Sequence, residues 1–444
     1  MSKNRENRRP DPIPVDPGLA LATAAGDSAI EADWTAPHWS EGPFGECQAG
    51  EVAVVAYADL IVRPPVVTFS TIGSIEFGGT KSVTVTITGG KNKTFTIYLL
   101  QLPNSVGGIT FDDGTYTKSL TPNTSSSYST TYTIKGSSYS LQLNDSAIRA
   151  TYNGGTQLAE QKFTVSSIAF KEDNACSGFD SSVQNQPYVA VHKGGANTAK
   201  AVILPSGASG TFNFYPQNGI TVSPSTMNTS SQVLTITGGN TAGEYSLDVK
   251  VSQTAPTVAT LKAAVLARLD KTVVIHTIVD SYNGTSPATA NIPTASALQT
   301  YLNDTTWGVQ ANIYFTVTND STPHSVNFDI NHDSKFDDSN QNEWGPIRTN
   351  VRDSSYDVNL FYEPYTIIDY ATSGTEAFTY APDSWFSDKH HDSVNNLAAH
   401  EIGHAIGRTG HNSSPAALMT QYSGNTSFPN PCNIGKSDWT LVNP

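Results

Sequence analysis

In Ser82-Val-Thr-Val-Thr-Ile-Thr88 every second residue is apolar and every other one is a hydroxyl residue. Period two is the spacing of a strand with one buried face, and a helix cannot segregate such a pattern. The pattern recurs in Thr94-Phe-Thr-Ile-Tyr98 and Thr131-Tyr-Thr-Ile134, with Gly- and Asn-rich turns between. Short alternating strands closed by frequent turns predict a β-sandwich over residues 51–170. Residues 171–269 repeat the style. Gly108-Ile-Thr-Phe is echoed by Gly219-Ile-Thr-Val, and Ser138-Tyr-Ser-Leu-Gln-Leu by Glu244-Tyr-Ser-Leu-Asp-Val. A second sandwich is therefore expected.

The chain has 444 residues, enough for about three domains. Charged residues make up only 14%, and the net charge is −14. Such a balance argues against nucleic acid and anionic membranes as partners. No apolar run reaches the length of a membrane-spanning helix, so no membrane insertion is expected. Residues 1–50, rich in Pro, Gly and acidic side chains, read as an extended leader or linker. They lack the apolar core of a signal peptide, although the composition suits a secreted, extracellular protein. Cys47, Cys176 and Cys432 allow one disulfide and one leftover thiol, and the sequence does not choose the pair.

Residues 270–444 differ in character. Lys271-Thr-Val-Val-Ile-His-Thr-Ile278 reads as a buried strand, Thr294–Asn303 as a helix, and Glu376–Ala381 as a further strand. Ser437 reads as the N-cap of a short final helix. Between them stands His400-Glu-Ile-Gly-His404-Ala-Ile-Gly407-Arg-Thr-Gly-His411. Histidines four apart on a helix share one face and can grip one ion, with Glu401 between them. Gly407 can end the helix at positive φ, and His411 returns toward the ion. Three imidazoles with an open fourth position are the donor set of zinc. The expected ligands are His400, His404 and His411, with Glu401 as the catalytic base and Gly407 as structural support.

The segment 400–419 resembles the metzincin clan of zinc endopeptidases, in the matrixin-like form, with Met419 in the place of its Met-turn, where the resemblance implies structural support beneath the metal and not ligation. The family has two residues between Gly and the third His; here Arg408, Thr409 and Gly410 make three. The resemblance implies an α+β catalytic domain at 270–444 that hydrolyses peptide bonds of an extended polypeptide substrate. Glu401 would activate water on zinc, whose pKa falls to about 7. The two sandwiches resemble bacterial immunoglobulin-like domains, which implies a surface or matrix ligand. The fold class expected is thus multidomain, two all-β immunoglobulin-like sandwiches followed by the α+β domain. The alternative is a cell-surface adhesive or carbohydrate-binding protein whose metal site is vestigial.

A second donor set suits calcium: Asp329, Asn331, Asp333 and Asp337 alternate as in an oxygen-lined loop, with Ser334 where a turn Gly would stand. His324 and His332 read as surface residues, and His390 and His391 as part of a solvated loop.

Overall fold

The computed structural model describes residues 31–32, 60–61 and 64–443, apart from 102–107, 125, 153–154, 184–185, 289–290, 338–339, 370–371, 376, 388–393, 413–416 and 421–431. The leader apart from residues 31–32, Cys47, His390 and His391 lie outside the described residues. The chain divides into two compact units, Met1–Ser166 and Ser167–Pro444.

The first unit is a two-sheet sandwich. One sheet runs Val66–Phe69, Thr80–Thr88, Ser127–Gly136, Ile109–Phe111, antiparallel throughout. In the other, Phe95–Gln101 lies between Thr117–Leu120 and Ser146–Tyr152, and the last pairs onward with residues 156–163. The period-two alternation of Thr80–Thr88 points Val83, Val85 and Ile87 inward. They meet Phe95, Ile97, Ile148 and Phe163 in one core. A one-residue slip would turn this whole set to water, so the pattern also fixes the register.

The second unit begins with another sandwich. Residues 167–171 pair with Ala196–Leu204, which continues to Ser231–Gly238 and Ile220–Ser223. The facing sheet is Phe179–Asp180, Tyr188–His192, Ala259–Leu266, Gly243–Lys250, Phe212–Pro216, Thr226–Met227. Phe212, Phe214, Leu234, Ile236, Leu247 and Val249 fill the space between.

Ala259–Leu266 is followed within three residues by Leu269–Asp280, the centre of a mixed sheet. The order is Ile313–Asn319, Leu269–Asp280, Val358–Glu363, Asp383–Ser387, Ala377–Tyr380, parallel but for the last pair. Both faces are covered, as parallel strands require. Leu360 and Tyr362 face the helices Ala295–Asp304, Trp307–Ala311 and Val394–Ala405; Phe361 faces the opposite way, toward Gln341–Val351. The helix-side core also takes in Tyr188, Ala190, Ala264 and Leu266 of the sandwich. The sequence-based boundary at 269/270 therefore crosses a shared core. Cys176 and Cys432 form the disulfide, which joins the start of this unit to its end. The final helix is Lys436–Val442 with Gly435 at its N-cap, so Ser437 lies inside it and is not the cap the sequence suggested.

Candidate metal centre

The helix Val394–Ala405 forms because Leu397, Ala398, Ala399 and Ile402 give it a buried stripe. His400, Glu401 and His404 ride on that helix. Trp307 Nε1 donates to Ala399 O at 3.0 Å and anchors it. The helix ends by Arg408 N donating to Gly403 O at 2.9 Å, and Gly407 takes φ 119°. Gly410 takes φ 77°, and with these two left-handed residues the chain turns so that His411 comes back to His400 and His404.

Three ring nitrogens now converge. His404 Nε2 lies 3.2 Å from His400 Nε2 and 3.3 Å from His411 Nε2. These are not hydrogen bonds, and the partners of the other nitrogens show why. His400 Nδ1 faces Leu418 O at 2.8 Å, and His404 Nδ1 faces Arg408 O at 2.7 Å. A carbonyl can only accept, so each Nδ1 carries the proton. The Nε2 atoms of His400 and His404 therefore present lone pairs to each other. Neutral imidazoles held this way can hold a cation between them. Burial pushes the pKa of His400 and of His404 down, and burial with the neighbouring rings takes His411 to about 4. The rings are thus in ligand form at neutral pH. Zinc–nitrogen bonds of about 2.0–2.1 Å at tetrahedral angles put donors about 3.3 Å apart, so the observed spacing fits zinc. His411 is exposed while His400 is buried, so the trio opens to solvent on the His411 side.

Glu401 is buried, and its Oε2 accepts from Thr379 Oγ1 at 2.5 Å. Thr379 lies on Ala377–Tyr380 and also contacts Ser384 Oγ at 2.8 Å. Burial raises the Glu401 pKa. Met419 is fully buried under the helix at Gly403. A Cβ on Gly403 would stand 2.5 Å from Met419 Sδ and 2.6 Å from Trp307 Cζ2, so only glycine permits this approach.

Sequence reasoning missed the clamp behind the ligands. Arg408 Nε donates to Asp438 Oδ1 at 2.5 Å and its Nη2 to Asn412 Oδ1 at 2.8 Å; Asn412 Nδ2 closes the ring on Asp438 Oδ2 at 3.0 Å. Arg408 reads in sequence as a loop residue. Nothing local shows that its partner lies 30 residues away.

The 329–337 loop is ordered by its own backbone. Asp329 accepts from the N–H groups of Asp333 and Ser334 at 3.2 and 3.0 Å, and Asn331 Oδ1 accepts from Asp333 N at 3.1 Å. Ser334 takes φ 61°, the left-handed turn expected there. Asp337 donates its N–H to the buried Glu343 at 2.6 Å, and Asn340 caps the helix Gln341–Val351. Among the described residues, two groups of His, Cys, Asp or Glu ligand atoms close to within 4.8 Å, and this loop is not one of them. They are His400–His404–His411 and, unforeseen, His276–Asp320–His324. His324 is thus no isolated surface residue.

No family model matches the chain, and no curated protein matches it. Solved structures do. One is the Yersinia pseudotuberculosis adhesin InvE, with 12% identity over 46% of this chain and 58% of that one, TM-score 0.19. Invasin, a bacterial integrin-binding protein, has 14% identity over 46% and 40%, TM-score 0.18. The Escherichia coli adhesin FdeC has 17% identity over 46% and 63%, TM-score 0.19. The chain spans less than two thirds of each of these three proteins.

These comparisons correct the resemblance drawn from residues 400–419. The structures named here are two adhesins and an integrin-binding protein, none of them a protease, and no family model matches that would support the protease assignment. The metzincin assignment, its α+β catalytic domain and the zinc endopeptidase function are withdrawn with it. The physical reason lies in the reach of the motif. Twenty residues fix where imidazoles stand, which is a local matter, and say nothing of what reacts beside them. The β-sandwich part of the expected fold stands. Among the described residues no helix is long and apolar enough to cross a membrane.

Proposed function

We propose that this chain is a surface or extracellular ligand-binding protein of adhesive type, whose three histidines hold a zinc ion at an exposed face. The observation that carries the metal reading is the trio itself: Nε2 atoms 3.2 and 3.3 Å apart, with the Nδ1 protons of His400 and His404 committed to carbonyls. When bound, zinc supplies one open position for an oxygen or nitrogen donor. His411, the exposed member, stands at the mouth where a carboxylate or imidazole of a partner would enter. Glu401, on the same helix as His400 and His404, is held by Thr379 on its carboxylate. The sandwiches, with their polar outer faces and low charge, supply the wider surface for a matrix or cell-surface ligand. Calcium belongs to the same proposal, at the 329–337 loop, where Asp329, Asn331 and Asp333 crowd oxygens on one turn.

The experiment is binding of the whole chain to immobilised matrix proteins and glycans, with and without chelator, beside His404→Ala. The reading expects binding that weakens in chelator and in the variant. Undiminished binding in both would remove the metal from the interface. Casein hydrolysis by the parent protein that disappears in Glu401→Gln would overturn the reading in favour of catalysis.

A further inference from the structure

His276 stands on the central strand Leu269–Asp280 and is only 1% exposed. Its Nε2 lies 3.0 Å from Asn359 Oδ1. That amide is fixed in orientation. Its oxygen accepts from Asp353 N at 2.8 Å, and its nitrogen donates to Asp353 O at 3.2 Å. Facing an acceptor, Nε2 must carry the ring proton. In the neutral ring Nδ1 is then a lone pair, and it looks at Asp320 Oδ2 across 3.3 Å. The same oxygen is 2.6 Å from His324 Nε2. Two electron-rich atoms have been brought together in a mostly buried corner. A second ring proton or a metal cation must reconcile them. A doubly protonated ring so deeply buried is costly, whereas a cation shared by three ligands is not.

We propose that His276 Nδ1, the Asp320 carboxylate and His324 Nε2 form a second site for a divalent transition metal, zinc by its donor set. The 3.3 Å between His276 and Asp320 equals the separation of about 3.3 Å that tetrahedral zinc imposes on its ligands. The shorter His324 contact is a direct charged hydrogen bond that opens by about 0.7 Å around an ion. His324 and Asp320 have side chains 29% and 28% exposed, which gives them room to move and the ion a way in. Asn359 orients His276 from behind, as outer-shell acceptors orient metal-bound imidazoles. Asp320 is set in turn by Thr322 N at 3.0 Å on its other oxygen. The three ligands come from the central strand, from the connection after Ile313–Asn319, and from the strand His324–Val326, so the ion would staple that connection to the sheet.

Zinc per chain, measured by atomic spectroscopy after dialysis of the metal-stripped full chain against zinc, tests this. About two ions per chain are expected in the parent, about one in His324→Gln and about one in His404→Ala. Asp320→Asn should behave as His324→Gln, and melting curves confirm that both variants are folded. If His324→Gln and Asp320→Asn, both folded, retain as much zinc as the parent, the second site does not exist. If the three-histidine reading alone is wrong, His404→Ala keeps the parent's content while His324→Gln still loses an ion.

Discussion

At the scale of single residues, the proposed metal centre depends on where each ring proton sits. His411 contributes one of three donors, so His411→Ala should weaken zinc binding by well over about tenfold, measured by competition with a chromophoric chelator. Glu401→Gln should leave the affinity within about threefold, because the side chain is bound by Thr379 and is not a ligand. A large loss in Glu401→Gln and none in His411→Ala would reverse these roles. Asp438 is fully buried against Arg408, whose carbonyl holds His404. Asp438→Ala strands the buried guanidinium and should cost about 3–5 kcal/mol in denaturant melts. The histidines were legible in sequence because helical spacing is local. The Arg408–Asp438 clamp and His276–Asp320–His324 were not, because they join residues that only the folded sheet brings together.

At the scale of elements, the helix Val394–Ala405 was legible, and so were the strands of the first sandwich, whose period-two pattern is written residue by residue. The buried parallel strands were legible as apolar runs and not by alternation: residues 271–278 and 357–362 read as strands, and both are. Val358–Glu363 is buried on both faces, so its sequence carries no alternation to read. The helix sits on its sheet through Gly403, where Met419 and Trp307 come into contact range. Gly403→Ala should cost about 1–3 kcal/mol, since the rigid indole cannot move aside as the Met can. A thermal melt identical to the parent's would show that the helix has slack at this point. The calcium loop is tested at the same scale. Added calcium should raise the melting temperature of the parent and leave Asp329→Ala unmoved; no response in the parent leaves an ordinary acidic loop.

At the scale of the whole molecule, the sandwich modules were visible in the sequence, but the merging of the second one with the mixed sheet and its helices was not. Tyr188, Ala190, Ala264 and Leu266 lie in the same core as Leu397, Ile402 and Met419, and the disulfide Cys176–Cys432 closes the unit. Residues 167–444 should therefore express as a folded, cooperatively melting fragment, and residues 270–444 should not. A folded, zinc-binding 270–444 fragment would show that the shared core is dispensable. The motif's reach explains the correction at this scale too. A metal-binding helix and a turn are compatible with many molecules, and the residues that hold an ion do not by themselves name what the molecule does with it. The central claim is that His400, His404 and His411 close on one zinc ion. Anomalous diffraction at the zinc edge from crystals of the zinc-loaded protein tests it most directly. The account predicts a strong peak about 2.0–2.1 Å from each of the three Nε2 atoms. Saturating zinc with no peak among those nitrogens would contradict it.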